Sequence, residues 1–243
     1  MNNQNSPQYL EQVPLATIAR EVGTPCYVYS QKILEENWQA FEDAFQSYPH
    51  QIHYAVKACS NLAILNILAK LGSGFDIVSE GELERVLKAG GDPKKIVFSG
   101  VGKTESELMK ALAVGIGCIN IESEAEYIRL NTIALKLNKK AIVAIRVNPD
   151  VDAKTHPYIS TGLENNKFGV SFEEALRLCR NTKQYEGIEI KGLAFHIGSQ
   201  ITTLDPFIEA LQKTLLFIEH LKKENIFIRE LSIVGICMQQ MKD

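Results

Sequence analysis

The residue in this sequence with the clearest capacity for chemistry is Lys57, which follows the segment Tyr54-Ala55-Val56. Residues 51–56 predict a β-strand and residues 62–71 a helix, so Lys57 is expected at the carboxyl end of that strand. Catalytic groups of α/β proteins lie at this end of the sheet. A lysine held there between apolar neighbours can lose part of its charge by desolvation and act as a nucleophilic amine. That chemistry suits a Schiff base with a carbonyl cofactor such as pyridoxal phosphate; the alternative is a solvated lysine at a strand end.

Two charged residues follow the same pattern on later strands. Asp76 lies in a predicted strand, residues 75–78, where its carboxylate could pair with a protonated Lys57 or with a cofactor cation. The alternative for Asp76 is an ordinary polar residue at a strand end. Arg146 interrupts an otherwise apolar stretch, residues 141–147, and a charge in that position needs a partner or an anionic ligand.

A histidine and a serine end another predicted strand, residues 190–197. His196 precedes the turn that contains Gly198 and Ser199. A lone histidine in an apolar strand is most often a satisfied core residue. Here the glycine permits close approach of the backbone, and Ser199 offers a hydroxyl and an amide to an anion such as phosphate.

From residue 51 onwards the predicted strands and helices alternate, which indicates a parallel sheet with crossover helices. Seven strands are predicted, at residues 51–56, 75–78, 95–99, 118–121, 140–147, 190–197 and 228–234. A closed (β/α)8 barrel needs one strand more, and periodicity alone does not separate a barrel from an open sheet. In a barrel, the carboxyl ends of the strands converge on one mouth. The five candidate residues would then share one site: Lys57, Asp76, Arg146, His196 and Ser199.

Composition excludes several other classes of protein. The chain has 243 residues and a formal net charge of −3, so electrostatics do not favour nucleic acid or an anionic membrane surface. No apolar run approaches the roughly 20 residues that span a bilayer, and the polar start lacks a signal-peptide pattern, which favours the cytoplasm. The five cysteines are widely spaced, so a disulfide framework or a zinc site is not expected. No metal is therefore predicted.

The sequence does not predict a phosphate-binding loop. The segment Gly102-Lys103-Thr104 resembles the end of a P-loop, but the motif requires a glycine where Val97 stands. Residues 72–74 precede their strand instead of following it, so a dinucleotide-binding turn fails as well. A tight loop with Thr104 as a helix N-cap explains these residues better.

Several motifs in order carry a family resemblance. The chain resembles the fold-type III pyridoxal-phosphate decarboxylases of the alanine-racemase-like barrel superfamily, in particular their diaminopimelate decarboxylase branch. The segments that match, over about residues 10–233, are Tyr54-Ala55-Val56-Lys57, Phe75-Asp76-Ile77-Val78-Ser79-Glu80-Gly81-Glu82-Leu83, Arg146-Val147-Asn148-Pro149, Thr155-His156-Pro157-Tyr158-Ile159-Ser160-Thr161-Gly162, Lys167-Phe168-Gly169 and His196-Ile197-Gly198-Ser199-Gln200. The loop at residues 155–162 distinguishes this branch from the ornithine and arginine decarboxylases.

The resemblance implies a role for each candidate residue. Lys57 would carry pyridoxal 5'-phosphate as a Schiff base and later move protons, while His196 would stack on the cofactor ring and Ser199 would hold its phosphate. Asp76 and Arg146 would orient the lysine and the ring. The implied reaction is decarboxylation of meso-2,6-diaminopimelate to L-lysine in the cytoplasm by a homodimer.

The chain departs from the family after its seventh strand. Family members continue with Leu-Asp-Ile-Gly-Gly-Gly, whereas residues 231–236 read Leu-Ser-Ile-Val-Gly-Ile. We therefore expect an incomplete barrel at residues 31–236, an aberrant tail at 237–243 and no C-terminal β-domain. Residues 1–30 would be a leader and a strand, residues 24–29, that joins the β-domain in the family. Little or no decarboxylase activity is expected of such a chain, which could also be an inactive remnant, a non-catalytic cofactor-binding module or a related diamino-acid decarboxylase.

Overall fold

The computed structural model describes residues 8–151, 168–201 and 203–237. Its strands are β1 (Tyr9–Leu10), β2 (Val13–Pro14), β3 (His53–Ala55), β4 (Gly74–Ile77), β5 (Ile96–Phe98), β6 (Cys118–Ile121), β7 (Ala141–Arg146), β8 (Ile188–Ile201) and β9 (Glu230–Cys237). Its α-helices are α1 (Leu15–Val22), α2 (Gln31–Phe45), α3 (Leu62–Lys70), α4 (Glu80–Lys88), α5 (Glu105–Val114), α6 (Glu124–Lys136), α7 (Phe172–Arg180) and α8 (Asp205–Lys223).

Strands β3 to β9 form one parallel sheet in which the spatial order equals the order along the chain. A doubly wound open sheet reverses its strand order at a switch point, whereas a β/α barrel adds each strand beside the previous one. The observed order is that of the barrel. The seven predicted parallel strands are therefore present, and their order is the one that a (β/α)8 barrel requires.

Local hydrogen bonds fix where the helices begin, close to the carboxyl ends of the strands. Ser79 caps α4 by accepting a hydrogen bond from the backbone amide of Glu82. Thr104 and Glu107 form a complete capping box at the start of α5, as the sequence predicted. Ser79 lies two residues after the end of β4, and Thr104 lies six residues after the end of β5, so a short connection joins each of these strands to its helix.

The core lies on both faces of the sheet. Every residue of β4 is buried, and Phe75, Ile77 and Phe98 have no exposed surface. Burial on both faces is what a parallel sheet with an outer layer of helices requires. The longest helix described, α8, buries only one side. No helix in the described ranges is long and apolar enough to cross a membrane.

Two predictions about the first half of the chain were wrong. Residues 24–29 were expected to form a strand, but they have no ladder partner among the described residues, and Tyr27 is 93% exposed. Alternating aromatic residues indicate a preference for extended structure, but a strand also needs a neighbour to pair with. The strand predicted at residues 51–56 ends at Ala55, because Val56–Ala58 turns into one turn of 3-10 helix.

Candidate active site

A cavity lies at the carboxyl end of the sheet, and successive strands each supply one polar side chain to its wall. Lys57 follows β3, Asp76 lies in β4, Ser99 follows β5, Asn120 lies in β6, Arg146 ends β7 and His196 lies in β8. All six line this cavity. Four of the five residues predicted from the sequence are thus brought together. Ser199, the fifth, belongs to β8 by its backbone, but its side chain lies outside the described residues.

Lys57 enters the cavity from the 3-10 turn Val56–Ala58. Val56 anchors this turn in the core, with no exposed surface, and the Tyr54 hydroxyl donates a 3.3 Å hydrogen bond to the carbonyl of Cys59. The Lys57 side chain itself is exposed. The expected desolvation by apolar neighbours was therefore wrong, because the turn directs Val56 inward and leaves Lys57 at the cavity mouth.

Asp76 is a buried carboxyl group with a hydrogen-bond donor directly beside it. The hydroxyl of Ser99 donates to its Oδ1 at 2.5 Å, and the amide nitrogen of Asn120 donates to the Ser99 oxygen at 2.9 Å. Burial raises the pKa of Asp76 above its ordinary value, although the Ser99 hydroxyl and then the charges of Lys57 and Arg146 act in the opposite direction.

Arg146 has the partner that its position in an apolar strand demanded. Its Nη1 atom donates to both carboxylate oxygens of Glu122, at 3.1 and 3.0 Å. Glu122 also accepts a 2.8 Å hydrogen bond from the amide of Gly100, so the carboxylate is itself fixed. The guanidinium carbon lies 5.0 Å from the centroid of the Phe168 ring. Among the described residues the buried Nε atom of Arg146 has no hydrogen-bond partner, which leaves one donor for a bound group.

Lys103, the lysine of the P-loop-like segment Gly102-Lys103-Thr104, lies behind the cavity wall and holds its residues in place. Its ammonium group donates to the carbonyl of Gly100 at 2.6 Å, to the carbonyl of Asn120 at 2.7 Å and to Glu126 Oε1 at 2.7 Å. Lys103 is only 3% exposed. All three ammonium protons are therefore used inside the protein, and none is left for a phosphate.

His196 is a buried neutral ring. Burial, followed by the positive charges of Arg146 and Lys57, lowers the pKa of His196 to about 3. The amide of Gly198 donates to Nδ1 at 3.2 Å, so Nδ1 must be the unprotonated nitrogen and Nε2 carries the hydrogen. A neutral imidazole offers a flat aromatic face to a ring bound in the cavity.

The low pKa of His196 makes stability depend on pH. In the unfolded chain the ring takes up a proton near pH 6.5, whereas in the folded chain it does so only near pH 3. The unfolded state therefore binds the additional proton between these values, and the contribution of His196 to stability falls by about 1.4 kcal/mol for each pH unit as the pH drops below 6.5. We expect His196→Phe to flatten this slope in urea unfolding of the cofactor-free chain between pH 4.5 and 7.

The matched control for this experiment is an exposed histidine on α8. His220→Gln should leave the slope as in the wild type, because its side chain is half exposed. An unchanged slope in His196→Phe would contradict the assignment of a buried neutral ring.

The donor set fits pyridoxal phosphate. Lys57 supplies an amine for the aldehyde, Arg146 supplies positive charge for an anionic oxygen, and His196 supplies a neutral ring face. Two buried polar atoms, Arg146 Nε and Asn120 Oδ1, have no hydrogen-bond partner among the described residues, so the cavity wall offers a donor and an acceptor to a ligand.

Ser99, Asn120 and Glu122 were not predicted from the sequence. Each of them nevertheless lies at or just after the carboxyl end of its strand. The rule that identified Asp76 and His196, a polar residue at a strand end, would have identified these three had it been applied to every strand.

A parallel β/α barrel with a lysine at its mouth, surrounded by charged and hydrogen-bonding groups, defines the class of barrel that holds a carbonyl cofactor on a lysine amine. Within that class, the chain matches the family model described as "Pyridoxal-dependent decarboxylase, pyridoxal binding domain" over residues 31–238. The chain belongs to this family, and the predicted family resemblance is confirmed. Membership makes pyridoxal phosphate the cofactor of the domain.

Individual relatives point to one branch of the family. The chain is 57% identical to a diaminopimelate decarboxylase of Vibrio cholerae and 52% identical to one of Haemophilus influenzae, in each case over 93% of this chain but only 54% and 55% of the relative. The crystal structure of diaminopimelate decarboxylase from Helicobacter pylori complexed with L-lysine superimposes with a TM-score of 0.88 at 42% identity, over 94% of this chain and 59% of that chain. The chain thus spans about half the length of the curated relatives that it matches.

Proposed function

We propose that this chain supplies the cofactor-binding barrel, residues 31–236, for the decarboxylation of meso-2,6-diaminopimelate to L-lysine. The observation that carries the proposal is a cavity in which the five strands that follow β3 each place a polar group beside Lys57. The substrate is inferred from the relatives, which are named diaminopimelate decarboxylases at up to 57% identity. When bound, the cofactor supplies an electron sink for the negative charge left on carbon as carbon dioxide departs.

The residues of this chain bind and orient the reacting groups. The Lys57 amine holds the cofactor and afterwards donates or accepts a proton. Arg146, fixed by Glu122, would offer its Nε donor to the bound cofactor, and Asp76 lies close enough to Lys57 to interact with its charge. The His196 ring, kept neutral by its low pKa, would stack on the cofactor ring without adding a charge that would repel Lys57. Ser199 would hold the phosphate.

The proposal also includes the substrate type, the assembly and the location of the protein. The substrate is a small molecule, the assembly is a homodimer and the location is the cytoplasm, as the family resemblance implies. A net charge of −3 favours neither nucleic acid nor an anionic membrane surface as a partner.

A second candidate function is a cofactor-binding module without turnover by itself, or an inactive remnant. The binding module is supported by the family model that the chain matches over residues 31–238, which is described as a pyridoxal binding domain. A decarboxylase for a related diamino acid is a smaller alternative.

The experiment that tests the proposal uses the purified chain with pyridoxal phosphate. Borohydride reduction should fix the cofactor to the protein, and peptide mass analysis should locate it on Lys57. Release of carbon dioxide from meso-diaminopimelate, compared with release from L-ornithine, then measures turnover in the same sample. Labelling of Lys57 with release from meso-diaminopimelate supports the enzyme, and labelling without release supports the binding module. Labelling spread over surface lysines would overturn both.

A further inference from the structure

Three side chains from neighbouring strands form a hydrogen-bonded chain that ends on Asp76. Asn120 Nδ2 donates to Ser99 Oγ at 2.9 Å, and Ser99 Oγ donates to Asp76 Oδ1 at 2.5 Å. Backbone pairing places the three groups in line, because the Ser99 amide donates to the Ile77 carbonyl at 2.8 Å. Asp76 and Asn120 are buried, at 8% and 3% exposure.

The chemistry of the three side chains determines which group donates each hydrogen bond. A serine hydroxyl has one proton, and an ionised carboxylate only accepts hydrogen bonds, so the Ser99 hydroxyl donates its hydrogen bond to Asp76. The lone pairs of Ser99 must then accept from Asn120, which turns the NH2 group of Asn120 toward Ser99 and its Oδ1 away. That Oδ1 atom has no hydrogen-bond partner among the described residues. If these hydrogen bonds served only to satisfy buried polar groups, Asn120 Oδ1 in the cavity wall would be expected to have a partner as well.

We propose that Ser99 and Asn120 are positioning residues that hold the Asp76 carboxylate in its charged form and in a fixed orientation beside Lys57. The effect of these two residues on the reaction rests on the proposed function. Neither residue need touch the substrate, since both act through Asp76.

The surroundings of Asp76 explain why it needs this support. The charged groups that act on it are Lys57 after β3, Arg146 at the end of β7 and Glu82 on α4, of which only Glu82 disfavours the carboxylate. Burial is the largest influence and raises the pKa of Asp76, and the Ser99 hydroxyl is the largest influence that opposes it. Loss of the hydroxyl therefore leaves the two cations to act against burial and the charge of Glu82, and Asp76 moves toward its neutral form.

The test measures the ionisation of Asp76 in the cofactor-free chain by carbon-13 NMR of its carboxyl group, assigned with Asp76→Asn. Ser99→Ala should raise the pKa of Asp76 by about 1–2 pH units, the effect of losing one hydrogen bond to a charged group. Ser99→Thr, which keeps the hydroxyl, should restore the wild-type value. Asn120→Leu should cause a smaller rise, because Ser99 keeps its proton but loses the group that orients it. An unchanged pKa in both Ser99→Ala and Asn120→Leu would overturn the proposal.

A second measurement separates positioning from mere structural support. The rate at which pyridoxal phosphate becomes attached to Lys57 should depend on pH, and in Ser99→Ala this profile should move in the same direction as the pKa of Asp76. A raised pKa with an unmoved profile would reduce Ser99 and Asn120 to structural residues. If the wild-type chain took up no cofactor, the proposed function would fail, while the NMR titration would still decide whether Ser99 and Asn120 control the charge of Asp76.

Discussion

Replacing Lys57 with alanine is expected to remove covalent attachment of pyridoxal phosphate completely. Lys57 is the lysine that lines the cavity, since Lys103 behind the wall donates to two carbonyls and to Glu126. A Schiff base needs a primary amine within reach of the aldehyde, and no neighbouring group in the cavity wall can replace it. The visible absorption that bound cofactor gains on attachment to lysine should therefore be absent from the variant.

The control for this prediction is a lysine of similar exposure away from the cavity. Lys88, in the last turn of α4, is exposed and does not line the cavity. Lys88→Ala should retain the full absorption band. Far-ultraviolet circular dichroism of both variants establishes that each is folded, which is expected of Lys57→Ala because an exposed side chain contributes little packing. An absorption band of wild-type strength in folded Lys57→Ala would show that another amine holds the cofactor.

Helix starts were predictable from the sequence because their physical cause is local. The capping box of Thr104 and Glu107 is complete within four residues, and the predicted cap and helix both occur in the structure. Helix α2, Gln31–Phe45, has a cause of the same local kind, because its apolar side chains recur with the helical period. The parallel arrangement of the strands also followed from sequence, since strands and helices that alternate indicate crossover connections, but the alternation did not separate a barrel from an open sheet.

The support behind the cavity could not be predicted, because its contacts join residues that are distant in the chain. Arg146 needed a partner on physical grounds, but Glu122 lies 24 residues earlier, and its place after a strand does not show that it pairs with Arg146. The same is true of Lys103, whose resemblance to a P-loop lysine concealed its contact with Glu126, 23 residues away. The region at residues 24–29 failed for a related reason, since whether a segment becomes a strand depends on what lies beside it.

Replacing Lys103 with methionine is expected to reduce the free energy of unfolding by about 3–5 kcal/mol, the usual cost of breaking a buried ion pair by removing one partner. The side chains of Lys103 and Glu126 are 1% and 5% exposed. Without the ammonium group, the Glu126 carboxylate and the carbonyls of Gly100 and Asn120 lose a buried donor. A loss of this size is a large part of the roughly 5–15 kcal/mol that stabilises an ordinary domain. Urea unfolding at pH 7 measures it.

Glu126 also links this pair to the cavity, because its second oxygen accepts a 2.8 Å hydrogen bond from the amide of Glu122, the residue that holds Arg146. The double variant Lys103→Met, Glu126→Gln should therefore recover part of the lost stability, since no charge remains buried alone, and Gln can still accept from the Glu122 amide. The exposed pair of Lys136 and Glu105, 3.4 Å apart, provides the matched control, and Lys136→Met should have little effect on stability. If Lys103→Met were no more destabilising than Lys136→Met, the buried pair could not be what holds this wall of the cavity in place.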